Sequence, residues 1–413
     1  MNFHTENTLV TKNVINSALP LLEDYKKSVT HYLTNKTYVK PENLVKLPYD
    51  EDNLSHIMQM KELFVTKALK YIVVVGIGGS NLGTKTVYDA LHGYSDIFEP
   101  NRNPKIIFLE TLNASYTKKA LQFLAHEVKT EEEILTILIT KSGTTAETLI
   151  NFEILSKALP IIKNRTIYIA NESAPLIVLA KKRKLPFLTI PMPVPGRFSV
   201  FSPAGLFPLA CSGVDIIGLL EGAMETMEGH FKEGAIDISA LTALIQYREG
   251  KIIHENFLFD SRLESLGKWQ RQLTAESLGK KSRYGNAEGI QPSYSIGTTD
   301  LHSMFQLFLG GLHIRYFTFT NVAHLEHNTV NEPKGKVSDT KLLKEIYKNV
   351  KTKFSEEGIP FSEFILDSIT EKELGAYLQF KMIETMFVGH LLNINTFDQP
   401  NVDAYKREVN ERN

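Results

Sequence analysis

The sequence predicts an α/β protein with two doubly wound parallel sheets, each an α/β/α sandwich, and with further helices at both ends. Short β-branched runs without polar interruptions are typical of strands that are buried on both faces. Longer segments with helical periodicity separate these runs, which favours parallel strands joined by helices on both faces of a sheet. The alternation resumes after a proline-rich stretch, so we expect a second unit of similar architecture.

The first half of the chain contains the clearest strand signals. Residues 1–48 precede them, and apolar residues such as Leu9, Val14 and Leu19 suggest one or two short amphipathic helices. Apolar runs then predict strands at residues 71–75, 105–109, 134–140 and 166–170. A glycine-rich turn follows the first of these strands, and residues 84–91 after it have helical spacing.

The second half repeats this pattern less clearly. Strands are predicted at residues 256–259, 292–296, 314–320 and 361–366, and helices at 262–278, 370–392 and 402–413. Between the halves, the dense prolines of residues 185–208 predict a linker or an irregular connection, because proline stops helices. We therefore predict an N-terminal helical segment at 1–48, a first domain at 49–195 and a second at 196–413.

The composition excludes several classes of protein. With 46 Lys and Arg residues against 47 Asp and Glu residues, the 413-residue chain has a formal net charge of −1 and gives no electrostatic case for a nucleic-acid or membrane partner. One cysteine, Cys211, excludes an intrachain disulfide and a cysteine-based metal cluster. The N-terminal residues do not resemble a secretory signal, and the most apolar run is far below the ~20 residues of a membrane span. We expect a cytoplasmic protein.

The first candidate ligand loop is Gly76–Gly83, which lies where a strand ends and a helix begins. Glycines there allow backbone N–H groups to approach an anion, and the helix dipole favours negative charge. The dinucleotide fingerprint fails at its third glycine, since residue 81 is Asn, and no Gly-Lys-Ser/Thr ends a Walker loop. A phosphate site, a dinucleotide site and a merely tight turn all remain open for this loop alone.

A second loop, Thr140–Thr145, follows the third strand and runs into a helix start. Its four hydroxyls, one glycine and one lysine are a dense set of donors for a phosphate monoester. N-capping alone would need only one hydroxyl. Because both loops follow parallel strands, they could hold opposite sides of the same anion.

At this point the chain resembles the glucose-6-phosphate isomerase (phosphoglucose isomerase) family, in its short bacterial form with sugar-isomerase (SIS) domains. The resemblance covers about residues 70 to 406. Its motifs are Gly76–Ser80, Lys141–Thr145, Pro195–Ser199, Gln272–Lys280, Gly297–Ser303 and Phe397–Lys406. The last motif usually has Gly where Asn401 stands and Glu where Asp403 stands. Since Asn tolerates left-handed backbone, we expect the turn at Asn401 to persist.

The resemblance implies an aldose–ketose isomerase that interconverts glucose 6-phosphate and fructose 6-phosphate in glycolysis and gluconeogenesis. Glu276 would move the proton between C2 and C1, and Arg197 would stabilise the cis-enediolate. His302 and Lys406 would open the sugar ring, with His302 reaching into the partner's site of a homodimer. The hexose 6-phosphate would be held by Gly79, Ser80, Thr140, Lys141, Ser142, Thr144, Thr145 and Gln399. Neither a cofactor nor a metal is expected.

Two other functions stay open at this stage. A dual phosphoglucose/phosphomannose isomerase would share Glu276 and both phosphate loops, and would differ in the pocket near C2. A non-catalytic sugar-phosphate-binding regulator would need only the loops. The joint presence of Glu276, His302, Arg197 and Lys406 argues against the regulator.

Overall fold

A computed structural model describes residues 1–35, 37–325 and 338–404 of the chain. The described α-helices are α1 Lys12–Ala18, α2 Pro20–Thr34, α3 Glu51–Phe64, α4 Leu82–Leu91, α5 Ala114–Glu127, α6 Ala146–Ala158, α7 Pro175–Arg183, α8 Pro203–Cys211, α9 Ile216–Glu228, α10 Ala235–Arg248, α11 Glu264–Leu278, α12 Phe305–Gly310, α13 Asp339–Glu356 and α14 Glu371–Leu391. The described strands are β1 Asn2–His4, β2 Tyr71–Val75, β3 Lys105–Leu109, β4 Ile134–Ile139, β5 Thr166–Asn171, β6 Phe187–Ile190, β7 Ile253–Leu258, β8 Lys280–Lys281, β9 Ala287–Glu288, β10 Gln291–Ile296, β11 Arg315–Val322 and β12 Phe361–Leu366. None of the helices in this part of the chain has the length and apolar character that crossing a bilayer requires.

The described residues form two compact units that do not follow chain order. Residues 29–220 and the described residues 397–404 form one unit, which we call the Arg197 unit. Residues 1–28 and 221–396 form the other, which we call the Glu276 unit. These divisions differ from the boundaries predicted at 48/49 and 195/196, which stay predictions about domains.

The Arg197 unit is built on a parallel sheet with the strand order β3-β2-β4-β5-β6. Val73 and Val75 of β2 pack in one apolar cluster with Leu124 of α5 and Leu155 of α6. The alternate residues of β2 are just as fully buried, so helices cover both faces of the sheet. This arrangement confirms the doubly wound parallel sheet predicted for the first half of the chain.

The proline-rich stretch is an irregular connection at residues 191–202, apart from a short 3₁₀ turn at Gly196–Phe198, so the prediction is confirmed there. It is wrong for the rest of the stretch, which contains β6, an edge strand where flanking prolines remove no ladder bond, and α8. Pro203 opens α8, a position where proline's missing N–H is harmless. Pro208 lies inside the helix and has no N–H group to donate to the Ala204 carbonyl oxygen one turn earlier. That oxygen instead accepts a hydrogen bond from the Thr84 hydroxyl (3.3 Å). A side chain from α4 thus offsets the missing backbone bond.

The Glu276 unit contains a second sheet with the strand order β1-β12-β11-β7-β10. β12, β11, β7 and β10 are parallel, whereas the short β1 pairs antiparallel with β12 at the edge and was not predicted. One face carries an aromatic cluster that includes Phe257, Phe319 and Phe354. The other face packs on α14, where the ring centroids of Phe364 and Tyr377 are 5.1 Å apart. The predicted second doubly wound sheet is therefore confirmed.

Candidate active site

The first loop joins β2 to α4 with backbone geometry that suits an anion. Gly78 adopts a left-handed conformation (φ +59°) and begins a short 3₁₀ turn that ends at Ser80. Because α4 begins at Leu82, the N–H groups of its first turn face back toward this loop. Asn81 precedes the helix, but its side-chain amide donates to Glu110 (3.1 Å). Phosphate binding by Gly79 and Ser80 stays a prediction. It would need a tight loop at the start of a helix, which is the geometry of this segment.

The second loop is braced by its own hydroxyls. Thr140, which is 1% exposed, places its Oγ1 3.0 Å from Thr145 Oγ1. The Ser142 hydroxyl accepts hydrogen bonds from the backbone N–H (3.2 Å) and the hydroxyl (3.0 Å) of Thr144. Gly143 between them is left-handed, with φ +74°. Thr145 makes no side-chain capping bond to α6 among the described residues, so simple N-capping does not account for these hydroxyls.

Sheet topology brings the two loops to the same edge. β2 and β4 are neighbouring parallel strands, with Val75 opposite Leu138, so the chain leaves both strands on the same side. A Cβ built on Gly76 would lie only 3.0 Å from the Ile139 carbonyl oxygen. Lys141 lies two residues after Ile139, in the second loop, and its carbonyl oxygen accepts a hydrogen bond from the Asn171 N–H (3.0 Å). Both loops that carry the predicted phosphate donors therefore leave the sheet at the same edge.

The turn that carries Arg197 packs backbone to backbone against the first loop. A Cβ on Gly79 would lie 2.2 Å from the Gly196 carbonyl carbon and 2.5 Å from the Arg197 nitrogen. Glycine at residue 79 is therefore a steric requirement of this contact. The Ser199 hydroxyl adds to it, lying 3.2 Å from the Gly79 carbonyl oxygen. These contacts fix the Arg197 backbone relative to the predicted phosphate loop.

The Arg197 side chain is buried, with 2% of the residue exposed. Its Nη2 donates to the Asp398 carbonyl oxygen (3.2 Å), and its Nη1 lies 3.4 Å from Gln399 Oε1. The Phe198 ring lies beside the guanidinium and is 5.8 Å from the Phe397 ring, centroid to centroid. The C-terminal motif thus holds the arginine from one side. Gln399, predicted as a phosphate contact, directs its amide oxygen at the guanidinium.

Asn401 does not form the left-handed turn expected from the motif. Residues 400–404 are helical, and Asn401 is not among the described residues with positive φ. Helical spacing then aligns Asp403 with Gln399, whose Nε2 donates to Asp403 Oδ1 (3.1 Å). In the sequence, Asp403 stands out only as a departure from the family pattern, and nothing there indicates its bond to Gln399.

Glu276 lies near the end of α11 in the Glu276 unit and is half-buried. Gln272, one turn earlier, donates its Nε2 to Glu276 Oε1 (2.9 Å). This bond orients the Glu276 carboxylate. It also orients the Gln272 amide, so that the NH2 group faces Glu276 and the oxygen faces away from it. Gln272 lies in the predicted motif Gln272–Lys280, and its i, i+4 spacing from Glu276 on a helix is a sequence signal for this pair.

His302 ends a short 3₁₀ turn, Thr299–His302, and is exposed in the single chain. Asp300 anchors this turn, because its carboxylate accepts the Ile296 N–H (2.7 Å) and the Ser303 hydroxyl (2.7 Å). Burial raises the pKa of Glu255 on β7, against the hydrogen bond from Ser295 (2.7 Å) on the neighbouring β10. Asp300 therefore ties the His302 turn to the end of β10.

Lys406 lies outside the described residues, so the structure does not place it. In the part of the chain that is described, no group of three or more His, Cys, Asp or Glu side chains is arranged to hold a metal ion.

The chain is similar to known proteins over most of its length. Residues 60–411 match the model of the family described as phosphoglucose isomerase. The glucose-6-phosphate isomerase of Methanocaldococcus jannaschii is 33% identical over 349 residues, which are 81% of this chain and 82% of that protein. The glucose-6-phosphate isomerase of Rubrobacter xylanophilus is 30% identical over 398 residues, with 89% and 88% covered.

Solved structures share the fold. A hypothetical protein of Thermus thermophilus superposes with a TM-score of 0.87 at 25% identity, covering 100% of this chain and 99% of that one. A glucose-6-phosphate isomerase of Chlamydia trachomatis superposes with a TM-score of 0.83 at 19% identity, covering 99% and 87%. At that identity the second likeness shows the fold alone. The match of residues 60–411 and the relatives at 30% identity or more show that this chain belongs to the phosphoglucose isomerase family.

Proposed function

We propose that this chain interconverts D-glucose 6-phosphate and D-fructose 6-phosphate as an aldose–ketose isomerase. The observation that carries the proposal is the contact of Gly79 with the Arg197 turn. It fixes the backbone of a residue with a buried guanidinium against the first of two loops that are rich in phosphate donors. A sugar held by its phosphate on these loops would present its reacting carbons to a pre-positioned cation.

The phosphate would be held by the donors of both loops. Ser80 and the backbone of Gly79 serve from the first loop, and Thr140, Lys141, Ser142, Thr144 and Thr145 from the second. The N-terminal turns of α4 and α6 add N–H groups and the positive ends of their dipoles. Binding at this remote group would orient the carbons where the reaction occurs, so its loss would lower both affinity and turnover.

Glu276 would carry the proton transfer in the open-chain sugar. Its carboxylate takes the proton from C2 of the aldose and returns it to C1, while the proton of the C2 hydroxyl passes to the C1 oxygen. No electrons leave the substrate, so the reaction needs no redox cofactor. Gln272 would hold the carboxylate at the required angle. Arg197 would stabilise the negative oxygens of the cis-enediolate more than those of the ground state.

Ring opening comes before proton transfer, and His302 and Lys406 would serve it as proton donor and acceptor. The exposure of His302 in the single chain supports a role in the partner's site of a homodimer. The reaction places the enzyme in glycolysis and gluconeogenesis, and we propose a cytoplasmic location.

The test is an assay of purified protein with fructose 6-phosphate, following glucose 6-phosphate formation. Wild type should be active, and Glu276→Gln should lose about 10²-fold or more, as expected when a general base is removed. Glu264→Gln on the same helix, where Glu264 pairs with Lys268 (2.8 Å), should keep wild-type activity. An equally active Glu276→Gln variant removes Glu276 from the mechanism. Turnover of mannose 6-phosphate would favour the dual isomerase, and phosphate-ester binding without turnover would favour the regulator.

A further inference from the structure

A short polar chain links three residues of the Arg197 unit, and one of them has no assigned role. Arg197 Nη1 donates toward Gln399 Oε1 (3.4 Å), and Gln399 Nε2 donates to Asp403 Oδ1 (3.1 Å). We propose that Asp403 is a positioning residue, which orients the Gln399 amide so that its oxygen holds the Arg197 guanidinium in place for catalysis. The catalytic part of this inference rests on the proposed function.

Hydrogen-bond chemistry alone fixes the direction of the chain. A guanidinium only donates and an ionised carboxylate only accepts, whereas the glutamine amide has one accepting oxygen and one donating NH2 group. Only one of the two amide orientations therefore satisfies both neighbours. The opposite orientation would set NH2 against guanidinium and oxygen against carboxylate. The assignment of the Gln399 oxygen and nitrogen is thus determined by the partners at its two ends.

Local structure keeps the three groups together. The Asp403 N–H donates to the Gln399 carbonyl oxygen (3.0 Å), so a helical turn places both side chains on one face. At the other end, the Arg197 backbone is fixed against Gly79, and its Nη2 donates to the Asp398 carbonyl oxygen (3.2 Å). These two acceptors bond different nitrogens of the guanidinium, so both contribute to the orientation of its plane.

This geometry also refines what Gln399 can do. Its oxygen faces Arg197 and one N–H faces Asp403, so only its second N–H could reach a substrate phosphate. Gln399 therefore links Asp403 to Arg197, and Asp403 adds a second preference for the amide orientation in which the oxygen faces the guanidinium. An asparagine at residue 403 would keep an accepting oxygen of the same reach, whereas alanine would remove this second preference and hold the Gln399 amide less firmly.

Steady-state kinetics on fructose 6-phosphate can test this role. Asp403→Ala should lower kcat about five- to tenfold with KM within about twofold, because the lost contact acts on the transition state. Asp403→Asn should keep at least about half of the wild-type kcat. Gln399→Ala should resemble Asp403→Ala, and the double variant should be no worse than either single variant. Glu153→Ala, which removes an exposed i, i+4 partner of Lys157, is the matched control and should be unchanged.

Three results would overturn the inference. The first is a wild-type kcat in Asp403→Ala, and the second is that Asp403→Ala lowers kcat by the same factor in Gln399→Ala as in wild type. The third is that Asp403→Asn lowers kcat as much as Asp403→Ala. A second readout does not depend on activity. In protein with 15N-labelled arginine, the Arg197 Nη signals, assigned by their loss in Arg197→Lys, should be resolved in wild type and averaged in Asp403→Ala. Inactive wild type with this NMR difference would refute the proposed function alone, and unchanged Arg197 signals would refute the positioning role.

Discussion

Replacing Gly79 with alanine tests whether the first loop packs on the Arg197 turn. The new Cβ would lie 2.2 Å from the Gly196 carbonyl carbon, whereas ordinary contacts begin at 3.4 Å, so one backbone must retreat by about 1.2 Å. Both opposing atoms belong to the backbone, and no side-chain rotation can relieve the overlap. We expect a loss of about 1–3 kcal/mol in the free energy of unfolding, as for an overpacked core. A displacement of this size at Arg197 should lower kcat about 10²-fold.

Denaturant unfolding and fructose 6-phosphate turnover would measure the two effects of Gly79→Ala. Gly93→Ala is the matched control, because Gly93 is left-handed (φ +51°) and a Cβ added there would have no heavy atom within 4 Å. It should lose about 1–2 kcal/mol through backbone strain and keep its kcat. Gly196→Ala changes the opposite side of the same contact. Its Cβ would lie no closer than 3.7 Å to any heavy atom of the described residues that are not adjacent to it in sequence, so this substitution should leave folding intact. Wild-type stability and turnover in Gly79→Ala would refute the contact.

Three further predictions concern the support of the two units. Thr84→Val should lower the free energy of unfolding by about 1–2 kcal/mol, because the Ala204 carbonyl then loses its hydroxyl partner; equal denaturant midpoints would contradict this. Burial lowers the pKa of His254 to about 3, so between about pH 3 and 6.5 this residue is neutral in the folded protein and protonated in the unfolded chain. Its contribution to the free energy of unfolding is therefore fully present above about pH 6.5 and is lost at about 1.4 kcal/mol per pH unit as the pH falls toward 3. His254→Gln should show a shallower loss of stability with acid than wild type, and identical slopes would count against it. Lys381→Met should lose about 3–5 kcal/mol by leaving the buried Glu384 carboxylate without its cation, and adding Glu384→Gln should recover most of that loss.

Strands buried on both faces were predictable from the sequence because their signal is local. The bounds of β2, β3 and β12 agree with the predicted runs, since apolar residues dominate each of them. β6 and α8 were missed because their prolines dominate the local signal. Their structure depends instead on a neighbouring strand and on the Thr84 hydroxyl, which is over a hundred residues away in sequence. The local sequence carries no signal for such distant partners.

The candidate site was predictable in its residue types and not in its connections. Two hydroxyl- and glycine-rich loops after parallel strands predicted a phosphate site from general chemistry. The family motifs added Arg197, Glu276, His302 and Gln399, whose catalytic and binding roles stay predictions. The bond between Arg197 and Gln399 joins residues 202 apart in sequence, and no local pattern indicates it. The Gln272–Glu276 pair, by contrast, follows from helical spacing, and sequence analysis could have found it.

The order of the chain explains why the C-terminal motif matters to an arginine so far upstream. α14 and the residues after it stay in the Glu276 unit up to Thr396, where Gly389 approaches so closely that a Cβ would lie 2.0 Å from the Thr396 hydroxyl oxygen. The next residue, Phe397, already packs on Phe198 beside the buried guanidinium. Asp398 and Gln399 then supply the acceptors that a buried cation needs, because an unpaired charge there would be strongly destabilising. The motif therefore combines an apolar anchor, Phe397, with two polar contacts to the buried guanidinium.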